Sequence, residues 1–171
     1  MSDFESTREK IDVFNKENIY TGLSPKGYGF TCFANKAFKR RDIVAKGFGR
    51  KINHQTSHVS IQIDDNTHFI ADKWSGKYWN HSCNPNTYIH TRPNGFPDLI
   101  ALKNIRIGDE ITFAYWMTEF EWSKECDENT IKCICGDRNC KNKILSFSQL
   151  SKSEQSKLKK LGLCSKYLLK H

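Results

Sequence analysis

Three cysteines fall within eight residues near the end of this chain, in Cys133-Ile134-Cys135-Gly136-Asp137-Arg138-Asn139-Cys140. A one-residue spacer puts two thiolates on one side of an extended segment, and Gly136-Asp137 supplies a turn that returns the third. Three sulfurs leave a tetrahedral zinc site one ligand short. Cys83, fifty residues earlier in the polar, turn-prone run Asn80-His81-Ser82-Cys83-Asn84, is the best source of the fourth. Such a clamp draws the C-terminal end of the chain onto a pocket near its middle. The remaining cysteines, Cys32, Cys126 and Cys164, read as small buried hydrophobes. An odd total of seven argues against a disulfide framework and for a reducing compartment.

A chain of 171 residues suits one domain, large enough to bury about 70% of its unfolded surface. Its hydrophobic fraction is only 37%, but 11 Phe, 4 Trp and 6 Tyr set it apart from a disordered polymer. No apolar run approaches the roughly 20 residues that span a bilayer. The opening MSDFESTREK is neither a secretory signal nor a transit peptide. These features predict a soluble intracellular monomer of cytoplasm or nucleus with no membrane partner, a secreted effector being the other case. The net charge of +8 is concentrated at the end, where residues 151–171 carry six Lys and one Glu. That is the pattern of a solvated basic helix, or of a nucleic-acid contact.

Residues 1–17 are polar and read as frayed or weakly helical. A strand, the turn Ser24-Pro25-Lys26-Gly27-Tyr28-Gly29 and a second strand to Ala34 follow. A charged turn, Lys39 to Asp42, precedes Ile43-Val44-Ala45. Val59, Ile61 and Ile63 alternate with polar residues, and Asp64-Asp65-Asn66 turns the chain back through His68-Phe69-Ile70. Leu99 to Ala101 is a further strand, and Ile111, Phe113 and Tyr115 share one face of the next. Residues 117–130 read as a polar connector. At the end, Ser151 and Glu154 have capping-box spacing, Leu158 and Leu161 form an apolar stripe, and Gly162 suits a left-handed stop.

Asn80-His81, directly after Tyr78-Trp79, is either a satisfied buried network or a ligand-binding pair, because burying it without partners is costly. Tyr115 alone would read as core. The order of the pieces changes that. Asn-His-Ser-Cys-Asn-Pro-Asn at 80–86, then Gly-Asp-Glu-Ile-Thr-Phe-Ala-Tyr at 108–115, then the CxCxxxxC run, strongly resembles the SET-domain methyltransferases with their post-SET cysteine motif. Lys26-Gly27-Tyr28-Gly29-Phe30, Phe33-Ala34 and Ile43-Val44 extend the likeness over about residues 18–145. The chain resembles the compact, stand-alone SET proteins.

The resemblance implies a mainly β fold with few helices: short curved sheets, a knot-like C-terminal crossing, a post-SET zinc segment and a C-terminal helix. It divides the chain into an N-terminal flank (1–17), a SET domain (18–120), a zinc-binding segment (121–145) and a basic helical tail (146–171). It implies S-adenosylmethionine as cofactor, contacted by Lys26, Gly27, Tyr28, Asn80 and His81 and covered by the segment around Ile134. It implies structural zinc on Cys83, Cys133, Cys135 and Cys140. Tyr115 would orient the acceptor nitrogen, with Phe113, Trp116 and Tyr88 as candidate channel walls.

The implied reaction is N-methylation of a protein lysine, histone or otherwise, or of a small-molecule amine. The alternative is a catalytically silent SET-fold module that binds nucleic acid or an acidic partner. Methyl transfer is an in-line displacement, so alignment is the main protein contribution. A lysine amine must lose its proton first, which an apolar channel beside a sulfonium favours. Two positions depart from the family: Ala114 stands where many members carry Asp, and Lys77 where Arg is usual. A basic chain disfavours a strongly basic peptide unless the channel mouth is acidic, and Asp98, Glu119 and Glu121 are the candidates for that patch.

Overall fold

In the computed structural model, which describes residues 3–56, 60–71, 76–123, 126 and 132–171, ten short strands form three small sheets. The first is ordered β1 (Ile19–Leu23), β2 (Phe30–Ala34), β10 (Glu110–Phe113) and β7 (Asn80–His81). Its last pairing is parallel, Thr112 lying against Asn80 and Phe113 against His81. The second sheet is β3 (Ile43–Lys46), β9 (Pro97–Ala101) and β8 (Thr87–Thr91), and the third is β4 (Gly49–Ile52), β6 (Thr67–Ala71) and β5 (Ser60–Asp64). This is the mainly β architecture with few helices that the sequence predicts.

The two hairpins read from alternation form as expected, β1 on β2 and β5 on β6. Val59 lies outside the described residues. Three strands have no counterpart in the sequence reading, two of them for want of a signal. β7 is two residues long and has no period. β4 carries exposed Arg50 and Lys51, and its Gly49 is required because a Cβ there would strike the backbone carbonyl of Ile70. β8, Thr-Tyr-Ile-His-Thr, is β-branched and aromatic enough to have been read as a strand.

The N-terminal flank is a full helix, α1 (Asp3–Asn18), rather than a frayed one. Its low intrinsic amphipathicity is overridden by docking, since tertiary packing supplies most helix stability. Ile11 is buried, and Asn15 exchanges two hydrogen bonds with the backbone of Lys46, at 2.8 and 2.9 Å. Asn18 donates to the Val44 carbonyl at 3.0 Å.

The chain after β10 also departs from expectation. The strand ends at Phe113, and Tyr115 opens a 3-10 turn, Tyr115–Met117, instead of continuing the strand face. The stretch read as a polar connector begins buried, with Thr118 and Glu119 both inside. The C-terminal segment holds it there. Phe147 N–H donates to the Glu119 carbonyl (2.8 Å), Ser148 N–H to Phe120 (2.9 Å) and Ser165 N–H to Met117 (2.7 Å). The Tyr167 hydroxyl donates to the Thr118 carbonyl.

Helix α2 (Lys152–Leu161) has the expected capping box, and Gly162 ends it at φ +63°. Its apolar stripe differs from the expectation, because Leu161 is 55% exposed and only Leu158 packs on the core. The helix docks through Gln155 instead. That buried amide donates to the carbonyls of Phe147, Ser148 and Leu150 at 3.1, 3.4 and 2.9 Å. Gln155→Leu should therefore cost about 1–3 kcal/mol, the range for stranding buried acceptors, measured by chemical denaturation. An unchanged midpoint would show that water replaces the amide.

Candidate active site and metal cluster

The Sγ atoms of Cys83, Cys133, Cys135 and Cys140 all lie within 4.8 Å of one another. Cys83 and Cys133 are 3.7 Å apart, and a tetrahedron with Zn–S bonds of about 2.3 Å has edges of about 3.8 Å. Backbone N–H groups of Lys141 and Asn142 point at Cys83 and Cys140 at 3.4 and 3.3 Å. Asn84 donates to Asp137 at 2.9 Å and so ties the Cys83 loop to the cysteine turn. Burial pushes Cys83 up to about 11. Burial opposes ionisation of Cys135 as well, but backbone amides of Cys83 and Asp137 outweigh it and bring that thiol down to about 7. Four such sulfurs cannot all ionise without a cation among them, and this donor set in this geometry suits structural zinc.

His81 joins this cluster to the rest of the site. It is 5% exposed, and burial pushes it down to about 3, so its ring is neutral. Nδ1 accepts the Tyr115 N–H at 3.1 Å, which leaves the ring proton on Nε2, 3.4 Å from Cys83 Sγ. The ring also meets Tyr115 and Trp116 edge-on, with centroids 5.2 and 5.1 Å away.

Two hollows flank Tyr115. The wider is bounded by Tyr28, Asn80, His81, Ile134, Ile144 and the cluster residues Cys133 and Cys135. The narrower is bounded by Trp79, Phe113, Trp122 and Glu119. Tyr115 is the one described residue common to both. Burial, followed by the negative charge of Glu119, raises its hydroxyl above the ordinary tyrosine value. It therefore stays protonated at neutral pH and offers a donor and an acceptor, not a phenolate.

The other residues singled out by the sequence fall in several places. Gly27 at φ +80° and Gly29 at φ +89° shape the turn that presents Tyr28. Nothing lies near where their Cβ atoms would be, so the requirement is conformational. Lys26 lies outside the lining of the wider hollow and pairs with Glu110 at 2.8 Å, the same carboxylate that the Tyr28 hydroxyl reaches. Asn80 donates its amide to the Phe30 carbonyl at 2.8 Å. Tyr88 and Trp116 line neither hollow.

The acidic mouth does not form as expected. Asp98 is buried in the second sheet and paired with Arg92 at 3.0 Å, and Glu121 lies outside the narrow hollow. Glu119 is a wall of that hollow. Trp79 and Trp122 were missed by sequence reasoning. Trp79 carried a signal in its adjacency to Asn80, whereas Trp122 sits in a stretch without periodicity.

A SET-domain family model matches residues 29–116, just over half of the chain, and the chain belongs to the SET-domain family. It is 30% identical over 112 residues to histone-lysine N-methyltransferase SETDB2 of Xenopus laevis, covering 57% of this chain and 15% of that protein. It is 35% identical over 90 residues to the H3 lysine-4 specific enzyme of Saccharomyces cerevisiae, covering 50% and 8%. Against the H3 lysine-36 specific enzyme of Debaryomyces hansenii the identity is 27% over 151 residues, covering 77% and 19%. The chain thus spans less than a fifth of these relatives. Among solved structures it is similar to Kryptonite in complex with mCHH DNA, an H3(1-15) peptide and SAH. That match has a TM-score of 0.59 and 19% identity, and covers 75% of this chain and 29% of that one.

Cys135→Ser should lower bound zinc well below one ion per chain, and acidification should release it from the native protein as thiolates protonate. Metal analysis by mass spectrometry checks both, and full occupancy in the variant would show a different ligand set.

Proposed function

We propose that this chain is an S-adenosylmethionine-dependent protein-lysine N-methyltransferase acting on a histone lysine. The observation that carries the reading is Tyr115, set between a wide hollow beside Asn80 and a narrow aromatic one. Two substrates entering from opposite faces would meet there. The names of the relatives and the SAH and histone peptide in the Kryptonite complex support the same chemistry. In this reading residues 18–120 form the catalytic domain, 121–145 the zinc-holding segment and 146–171 a buttress. A histone acceptor implies work where chromatin is. No helix among the described residues is long and apolar enough to cross a membrane.

The cofactor when bound supplies an electrophilic methyl group on a sulfonium. Tyr28, Asn80 and the backbone around His81 and Ile134 would hold it in the wide hollow. The four cysteines would hold zinc, whose contribution is shape. Trp79, Phe113 and Trp122 exclude water from the narrow hollow, which by itself lowers the amine's proton affinity. The neutral Tyr115 hydroxyl orients the nitrogen for in-line attack, and alignment is the main term for this reaction. His81 fixes the Tyr115 backbone from behind.

Calorimetry should show S-adenosylmethionine binding by the zinc-loaded protein, and labelled methyl should appear on histone lysine by mass spectrometry. Tyr115→Phe should lower kcat by about 10²-fold, as expected for lost positioning, with cofactor affinity unchanged. Equal loss of both would make Tyr115 structural. Cofactor binding without transfer to any histone would favour the silent scaffold.

A further inference from the structure

Glu119 is a buried carboxylate that the scheme above leaves without a task. Its side chain is 4% exposed, and it walls the narrow hollow beside Trp79, Phe113, Tyr115 and Trp122. Oε1 accepts the Gln62 backbone N–H at 2.9 Å and the Thr118 hydroxyl at 3.2 Å. Oε2 accepts the Gln55 amide at 2.9 Å. All three donors are neutral. His68 Nδ1 stands 4.0 Å from Oε2, beyond hydrogen-bond reach, and burial pushes that imidazole down to about 4, so it brings no charge at neutral pH.

Among the described residues no cation pairs with Glu119. A carboxylate has about four acceptor positions, and with three filled one remains, on Oε2. Three neutral donors could be met equally by an uncharged acceptor, whereas burying an unpaired charge is costly. A cation in the hollow that Glu119 lines would stabilise that charge. Aromatic faces attract alkylammonium ions, and the rings of Trp79 and Trp122 line the hollow. Burial itself lifts Glu119 to about 7, so neutral and charged forms both populate near neutral pH, and a cation in the hollow would favour the charged one.

We infer that Glu119 is a substrate-specificity residue whose carboxylate selects a cationic alkylamine bearing at least one N–H for the narrow hollow. The inference rests on the methyltransferase reading for the identity of that amine as a substrate. It acts at binding, before the methyl step. The carboxylate favours the charged amine, which cannot attack, so it should strengthen substrate binding without speeding transfer. An acceptor on Oε2 also favours primary and partly methylated amines over a trimethylated one, which has no N–H to give.

The test compares the native chain, E119Q and the exchange variant Q55E/E119Q. Gln55 accepts the Ser123 N–H at 2.7 Å and donates to Glu119. The exchange therefore preserves both hydrogen bonds and the net charge while moving the carboxylate away from the hollow. Butylammonium and butyltrimethylammonium are titrated against each protein, followed by tryptophan fluorescence. The native chain should bind butylammonium at least about 10-fold tighter, the worth of one charge-assisted hydrogen bond. Both variants should lose that preference.

With histone H3 as substrate, both variants should raise KM about 10-fold or more without lowering kcat. Equal or absent binding of the two probes by the native chain overturns the assignment, and that comparison depends on no variant folding. A preference that survives in the exchange variant, or a loss confined to kcat, overturns it as well. Cofactor calorimetry on the native chain separates the two claims, since its failure would sink the methyltransferase reading while the probe preference could still stand.

Discussion

The site depends on two residues of parallel pairing between β7 and β10. A strand that short cannot hold itself, and β2 pairs only with the first two residues of β10. The remaining polar groups of β10 are met by the loop that follows β7 and by the first residue of β8. Ser82 N–H donates to Phe113 at 3.1 Å, Asn86 bonds both Glu110 and Thr112 at 2.8 and 2.9 Å, and the Thr87 hydroxyl reaches Thr112 at 2.8 Å. Each bond contributes only about 1 kcal/mol net, but leaving such groups buried and unmet costs more. Satisfying them fixes the loop, and with the loop come Asn80, His81 and Cys83.

From that pairing the parts of the site follow mechanically. His81 touches the cysteine cluster through Nε2 and the Tyr115 backbone through Nδ1. A displacement of Cys83 is thus felt at Tyr115 through one rigid ring. On the far side, the C-terminal segment takes the carbonyls of Met117, Thr118, Glu119 and Phe120. The turn that carries Tyr115 is held between the cysteine cluster and a docked tail. The basic tail, whose charge invites a nucleic-acid reading, spends its apolar residues Phe147, Leu150, Tyr167 and Leu168 on this buttress.

Much of this was legible because the signals were chemical or local. Thiol spacing points to a metal whatever the surrounding fold, and the four cysteines do converge. Ser151 and Glu154 cap α2 because a capping box involves only one turn of helix. The hairpin at Asp64–Thr67 follows from alternation on either side of a turn. Other features were illegible for an equally physical reason. Leu161 looked buried by helical spacing, but a buried amide at Gln155 decided which face docks. Asp98 looked available for a channel mouth, but Arg92 reached it first.

Residue chemistry and local spacing therefore determined the donor set for metal, the order of the motifs, the turns and the family. Only the tertiary structure decided which side chains share a cavity. Cavity walls are gathered from segments far apart in the chain, and no period along the sequence encodes that meeting. Trp79, Phe113, Glu119 and Trp122 come together around Tyr115 because three sheets and a tail pack in one particular way. The same packing leaves the Glu119 charge facing a hollow instead of water, which turns an ordinary acidic residue into a feature of the site.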